Sequence, residues 1–375
     1  MHVWNWITRD FSTRFGFLSV DNQAGEQYTG NDTGNDTGVG RTLKRVTLRH
    51  IAEETGFSIN TVSRALTDKA DVSHATRSTI LETAMRMGYR PNRLAQGLRS
   101  NRTHTLGAII ADLENPYFGG LVKRLDEAAR RHEYRIIVQD TNEDYEREME
   151  AVDAMLAEHV DGVAITPVQL RKLSIVKLKK SKLPFVVLGR HFADQDLELD
   201  YVAPDDVQGG RLATEHLIGK GHTEIALVGG PLNISSAADR LQGYKQVMDQ
   251  HDLPIRKALI SARSVTTEDG YEVGKALLNR KRLPSAIIAF SDFVSLGVMR
   301  AVHEKRLRIP QDIAIVGYDD VIFASCLSVP LTTVRIPRKE MARIAVDILR
   351  DKINGKADGA RQMKLPVELI VRKST

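Results

Sequence analysis

In the stretch Ser-Ile-Asn-Thr-Val-Ser-Arg-Ala-Leu, residues 58 to 66, three side chains of different chemistry sit within six positions of one another. The guanidinium of Arg64 can donate a fork to guanine, the carboxamide of Asn60 can pair with adenine, and the branched alkyl group of Ile59 can touch a thymine methyl. If the stretch is helical, Val62 and Leu66 are four apart and share the buried face. Ile59, Asn60, Thr61 and Arg64 then project outward. Thr47, Thr61 and Ser63 supply small hydroxyls suited to phosphate, which fixes register without reading sequence.

A helix that presents such a face must be held by neighbours. Thr47 can cap a preceding helix with Leu48, Ile51 and Ala52 as its apolar stripe, and Gly56 permits the turn that follows it. Ser58 can cap the second helix, with Phe57 packing from the turn. A third helix is predicted after Ser73, with Ile80, Leu81, Ala84 and Met85 inward, ending before Gly88. This is a helix-turn-helix pattern, in which the start of the second helix reaches base edges. A plain helical hairpin with solvated polar residues would give the same spacing. Charge favours the first reading: residues 41 to 102 hold twelve Lys or Arg against five Asp or Glu, whereas the whole chain of 375 residues nets only +5. Positive charge confined to one short segment is the footprint of a module that meets a polyanion.

From Leu106 the pattern changes to short β-rich runs alternating with helical stretches: LGAIIAD, YRIIVQD, DGVAIT and LPFVVLG, then IALVGG, SAIIAF and IAIVGY. Such alternation implies doubly wound parallel sheets covered by helices on both faces, and two series imply two lobes. Ligands bind such sheets at the carboxyl ends of the strands. The polar residues placed there are Asp112 and Asn115, Arg190, Asp292, and Asp319 with Asp320. Asp292 also precedes a helix that it could simply cap, and Tyr117 could belong to the core.

The single cysteine, Cys326, cannot form an intramolecular disulfide, and no run of 18 apolar residues is present. These point to a reducing cytoplasm and no membrane partner. Residues 1–42, with a tandem NDTG repeat, are expected to be a disordered extension or the product of a start placed upstream of the true one. No phosphate loop, zinc-ligand spacing or nucleophile elbow occurs, so no cofactor, metal or enzymatic activity is expected.

The segments VTLRHIAEETGFSINTVSRAL and VSHATRSTILETAMRMGYRPNRLAQGLRS, with NPYF, GGPLN, RLQGY, IPQDIAIVGYDD and PLTTVRIP further on, resemble the LacI/GalR family of bacterial transcriptional repressors from residue 44 to the end. The resemblance implies an all-α DNA-binding head over 43–90, a hinge over 91–103, and a sensor over 104–375 built like a periplasmic sugar-binding protein. It places base reading on Ile59 and Asn60, with Arg64 as a further contact and Ser58 beside them. It assigns PNRLAQGLRS as a hinge helix, with Asn92, Arg93 and Ala95 on DNA and Leu98 as a wedge in the minor groove. A helix so short is marginal alone, so it should coil only on DNA with a partner hinge beside it.

For the effector, the resemblance implies that Phe118 stacks on a sugar face, Arg240 forks onto hydroxyls, Asp292 accepts from a hydroxyl pair, and Arg190 and Asp319 add contacts. Purine-sensing members carry an arginine six residues before the position of Arg240 and an aromatic six before that of Tyr271. Here those positions are Ile234 and Val265, which argues against a nucleobase; Arg190 with His191 leaves room for an anionic sugar. The function expected is that of a homodimeric repressor on double-stranded operator DNA, switched by a sugar or sugar phosphate. A transport solute-binding protein would lack the head, and an enzyme of sugar phosphates would need a catalytic constellation.

Overall fold

The computed structural model describes residues 46–67, 71–89, 102–192, 198–263, 265–356 and 359–375. The chain divides after Arg90 into two compact units. The extension expected over 1–42, and the hinge positions Asn92, Arg93, Ala95 and Leu98, lie outside the described residues.

The first unit is three helices, α1 (Leu48–Thr55), α2 (Ile59–Leu66) and α3 (His74–Arg86). At eight residues, α1 and α2 are too short to persist alone, so their stability must come from packing. Ile51, Val62, Ala65, Ile80 and Ala84 are buried together, and Phe57 and Leu66 close the cluster. Gly56 sits at φ 72, where a Cβ would be strained, and the chain reverses there between α1 and α2. Ser58 and Ser73 cap α2 and α3, their hydroxyls accepting the amides of Thr61 and Thr76. In α3 the inward stripe is Ile80, Thr83 and Ala84, with Met87 packing from the C-cap. Leu81 and Met85, expected inward, are 39% and 73% exposed. One face of a helix admits Ile80 and Ala84, and the residues just after each rotate by about 100° away from it.

The second unit holds two six-stranded sheets. Lobe 1 contains β1 (Thr105–Ile110), α4 (Pro116–Arg130), β2 (Arg135–Asp140), α5 (Tyr145–Ala157), β3 (Gly162–Ile165), α6 (Leu173–Ser181), β4 (Phe185–Leu188) and β5 (Tyr201–Pro204). The chain then crosses to lobe 2, through α7 (Asp206–Gly219), β6 (Ile225–Gly229), α8 (Ser235–Gln250), β7 (Ile260–Ala262), α9 (Thr267–Leu278), β8 (Ala286–Ala289), α10 (Asp292–Glu304), β9 (Ala314–Asp319) and β10 (Thr332–Arg335). It returns through α11 (Arg338–Ile353) and β11 (Gln362–Leu365) to lobe 1, and ends in lobe 2 with β12 (Glu368–Ile370). The sheet orders are β11-β5-β4-β3-β1-β2 and β12-β10-β9-β8-β6-β7. Every pairing is parallel except the edge pair β10 with β12. Central strands such as β1, β3, β8 and β9 are buried along their whole length, as parallel strands covered on both faces must be.

Three crossings at Pro204, Arg335 and Leu365 thus join the lobes, and the cleft lies between them. The start of lobe 1 is pinned: the backbone N–H and hydroxyl of Thr103 both donate to Asp161, at 2.7 and 2.9 Å. Among the described residues no helix is long and apolar enough to cross a membrane.

Candidate DNA-reading face and effector cleft

On α2, Ile59, Asn60 and Arg64 are exposed, while Thr61 and Ser63 are half-buried. Val62 and Ala65 anchor the opposite side, so the outward face has a fixed orientation. The Thr61 hydroxyl lies 2.9 Å from that of Ser58, which orders the start of the helix. Thr47, at the N-cap of α1, is exposed, and its amide donates to His50 at 3.2 Å. Arg64 pairs with Asp71, both about half exposed, and such a surface pair contributes only about 0–1 kcal/mol. Exchange of that partner for a base or phosphate therefore costs little.

In the second unit a cleft opens between the lobes, at the carboxyl ends of both sheets. Its walls include Asp112, Phe118, Glu143 and Arg190 from lobe 1 and Ser236, Arg240, Val265 and Asp319 from lobe 2. Four of the five expected effector residues, Phe118, Arg190, Arg240 and Asp319, therefore converge. Phe118 packs edge-on against Tyr117, which also lines the cleft, at 5.0 Å between rings. Asn115 caps α4 by accepting from the Tyr117 amide at 3.0 Å and so fixes both rings.

Arg240 is already committed within the chain. Its Nε donates to Asp206 at 2.8 Å and its Nη1 to the Phe290 carbonyl at 2.5 Å, with the guanidinium 3.5 Å from the Tyr318 ring centre. The helices that carry the pair meet without room for a side chain: a Cβ at Gly210 would lie 2.3 Å from the Arg240 carbonyl, and one at Gly243 2.2 Å from that of Val207. Burial pushes the Asp206 carboxyl up, opposed by the Arg240 charge. Burial opposes the charge on Arg240 too, but Asp206 and Asp319 hold its pKa above the ordinary value.

Asp319 is 3% exposed, and no described donor lies within hydrogen-bond distance of its carboxylate. Burial raises its pKa well above the usual range, with the Arg240 charge opposing. Its backbone sits at φ 112 and that of Asp320 at φ 50, both unusual for residues with a Cβ. The turn is held by Arg335 and Arg372 on the Asp320 carboxylate, at 2.7 and 2.5 Å, and by Arg338 on its carbonyl. A strained, over-determined turn that aims an unsatisfied acceptor into a cleft is an arrangement found at ligand sites.

Asp292 does not line the cleft. It is fully buried, accepting from the Val321 amide at 2.9 Å and from the Thr333 hydroxyl at 2.6 Å, so its two oxygens tie α10 to the loop after β9 and to β10. Nor does it cap α10, since Ser291 does. Burial raises its pKa to about 7, against the hydrogen bonds from Thr333 and Val321. Because the carboxyl titrates near 4 when unfolded, stability held by the neutral form is present below about pH 4 and lost as pH rises through about 7. Melting temperature is expected to fall between pH 5 and pH 8, and Asp292→Asn to flatten that fall; an unaltered slope in the variant would remove Asp292 as its source.

Arg190 and His191 are also paired, with Glu143 and with Asp239. Asp206 and Glu143 were missed in the sequence, although each follows a strand end as closely as the residues singled out.

The profile described as bacterial regulatory proteins, lacI family, matches residues 47–92. That of periplasmic binding proteins and sugar binding domain of LacI family matches 103–373. The chain belongs to the LacI family. It is accordingly a DNA-binding transcriptional regulator and not an enzyme. The HTH-type transcriptional repressor PurR of Haemophilus influenzae (strain PittEE) is 31% identical over 332 residues, 88% of this chain and 98% of that one. The lac repressor dimer bound to operator and the anti-inducer ONPF superposes with a TM-score of 0.79 at 29% identity, covering 88% of this chain and 99% of that chain. A transcriptional regulator CelR–cellobiose complex superposes at 0.69 and 28%, over 88% and 100%. Val265 lines the cleft, and Ile234 is buried.

Proposed function

We propose that this regulator binds a pseudo-palindromic operator as a homodimer, represses transcription there, and is switched by a small carbohydrate or sugar phosphate held in the cleft. The observation that carries the reading is the outward face of α2, where Ile59, Asn60 and Arg64 stand exposed on a helix fixed from behind by Val62 and Ala65. Two copies related by a twofold axis would place two such helices in successive major grooves, one helical turn apart. The cleft supports an effector rich in hydroxyls: Phe118 offers an apolar ring and Asp319 an acceptor without a donor. Ligand binding acts on DNA only through a difference in affinity for two lobe arrangements. The lac repressor–operator and CelR–cellobiose likenesses fit this division of labour.

Selection of DNA from a randomised library by the purified full-length protein tests the reading. The expected product is an inverted repeat bound with a steep salt dependence, as neutralised phosphates release counterions, and with an affinity shifted by one member of a panel of sugars and sugar phosphates. Recovery of no enriched sequence would refute it.

A further inference from the structure

We propose that Glu143 is a specificity residue of the cleft: it occupies Arg190 as a built-in anion, so that the cleft turns away phosphorylated and carboxylated effectors and takes an uncharged one. This rests on the reading of the cleft as the effector site. Arg190 is 4% exposed and has the reach and planarity to bind a phosphate by two parallel bonds. Both arms are taken: Nη1 donates to Glu143 Oε2 at 3.0 Å and Nη2 to Glu143 Oε1, while Nη1 also donates to the Pro167 carbonyl at 2.5 Å. The Glu143 side chain, 21% exposed, lies in the cleft wall where an incoming anion would have to sit.

The turn that carries it is built to stay there. Asn142 and Glu143 both have φ near 50°, a region that glycine favours, and they are held at both ends. The Glu143 amide donates to the Ala111 carbonyl at 2.6 Å, the Asp144 amide donates to Thr141, and Asp144 caps α5. The other cation in the wall, Arg240, is committed to Asp206 in the same way. An anionic group entering the cleft would therefore meet no uncommitted guanidinium among the described wall residues. An uncharged polyol loses nothing by this, because carboxylates and carbonyls accept from its hydroxyls.

The test is calorimetric titration of the full-length protein with inorganic phosphate and with two matched pairs, ribose against ribose 5-phosphate and glucose against glucose 6-phosphate. Wild type should show no saturable binding of phosphate, and in neither pair should the phosphorylated member bind more tightly. Glu143→Ala should gain saturable phosphate binding, at least ten-fold over wild type, with a smaller gain for the isosteric Glu143→Gln, whose shape preserves the turn. Adding Arg190→Met to either variant should abolish the gain. Ten-fold preference of wild type for a sugar phosphate, or no gain of phosphate binding in either Glu143 variant, overturns the proposal. If no sugar binds wild type yet both variants gain phosphate, the masked cation stands and the effector reading is the one that falls.

Discussion

Asn60→Ala is expected to lower affinity for the preferred operator by about 1–3 kcal/mol and to relax preference at one base pair of each half-site, with binding to unrelated DNA nearly unchanged. The carboxamide stands exposed one residue into α2, just after the cap at Ser58, so its loss removes no packing from the head. Exposed substitutions of that kind usually move stability by no more than about 0.5 kcal/mol. A change in DNA binding would therefore report recognition and not unfolding. Thr47→Ala is the matched control. Thr47 is also exposed, but it lies at the start of α1, away from the base-reading turn, where a hydroxyl can only meet backbone phosphate. Its removal is expected to weaken all sequences together. It also removes a cap residue, a loss of about 1 kcal/mol, so thermal melts of both variants must accompany the comparison. Selection from a library randomised in one half-site separates the two: a changed sequence profile for Asn60→Ala and an unchanged, weaker one for Thr47→Ala. Identical profiles in both variants would take base reading away from Asn60.

What could be read in advance followed from local chemistry. The face of α2 was legible because Val62 leaves no choice of inward direction once the helix is granted, and Gly56 and Ser58 mark its start in residue type alone. The same periodic argument failed in α3, where Leu81 and Met85 are apolar yet exposed because each lies one residue, about 100° of rotation, past a buried neighbour. The sheets were legible as alternating runs, and so was the carboxyl-end rule that placed Asp112, Asn115, Arg190 and Asp319 at one cleft, whereas Phe118 and Arg240 were indicated only by the family resemblance. Pairings were not legible. Arg240 lies 34 residues from Asp206, and Arg190 lies 47 from Glu143. Nothing local tells an arginine free for a ligand from one already satisfied across a fold. Asp292 misled for a related reason: its position at a strand end was read correctly, but the side chain turns into the lobe towards Thr333, and only the placement of β10 makes that possible.

Arg240→Ala should cost far more than the effector response. Removing the guanidinium leaves the Asp206 carboxylate buried and without its counter-charge, a change of the class that destabilises by about 3–5 kcal/mol. It also leaves a void against Tyr318 and Phe290. Because the Arg240 charge would no longer oppose the burial that raises the Asp206 pKa, the variant is expected to regain stability as pH falls more steeply than wild type does at this site. Loss of ligand binding in the single variant consequently cannot be assigned to a lost contact. The double variant Arg240→Met with Asp206→Asn resolves it: with neither charge present, the penalty of the unpaired carboxylate disappears, and most of the lost melting temperature should return. If Arg240 forks onto effector hydroxyls, that restored protein will still bind operator and will still fail to respond to the effector. If stability and response return together, Arg240 serves the architecture of lobe 2 alone, and hydroxyl recognition falls to Asp319 and Asp112.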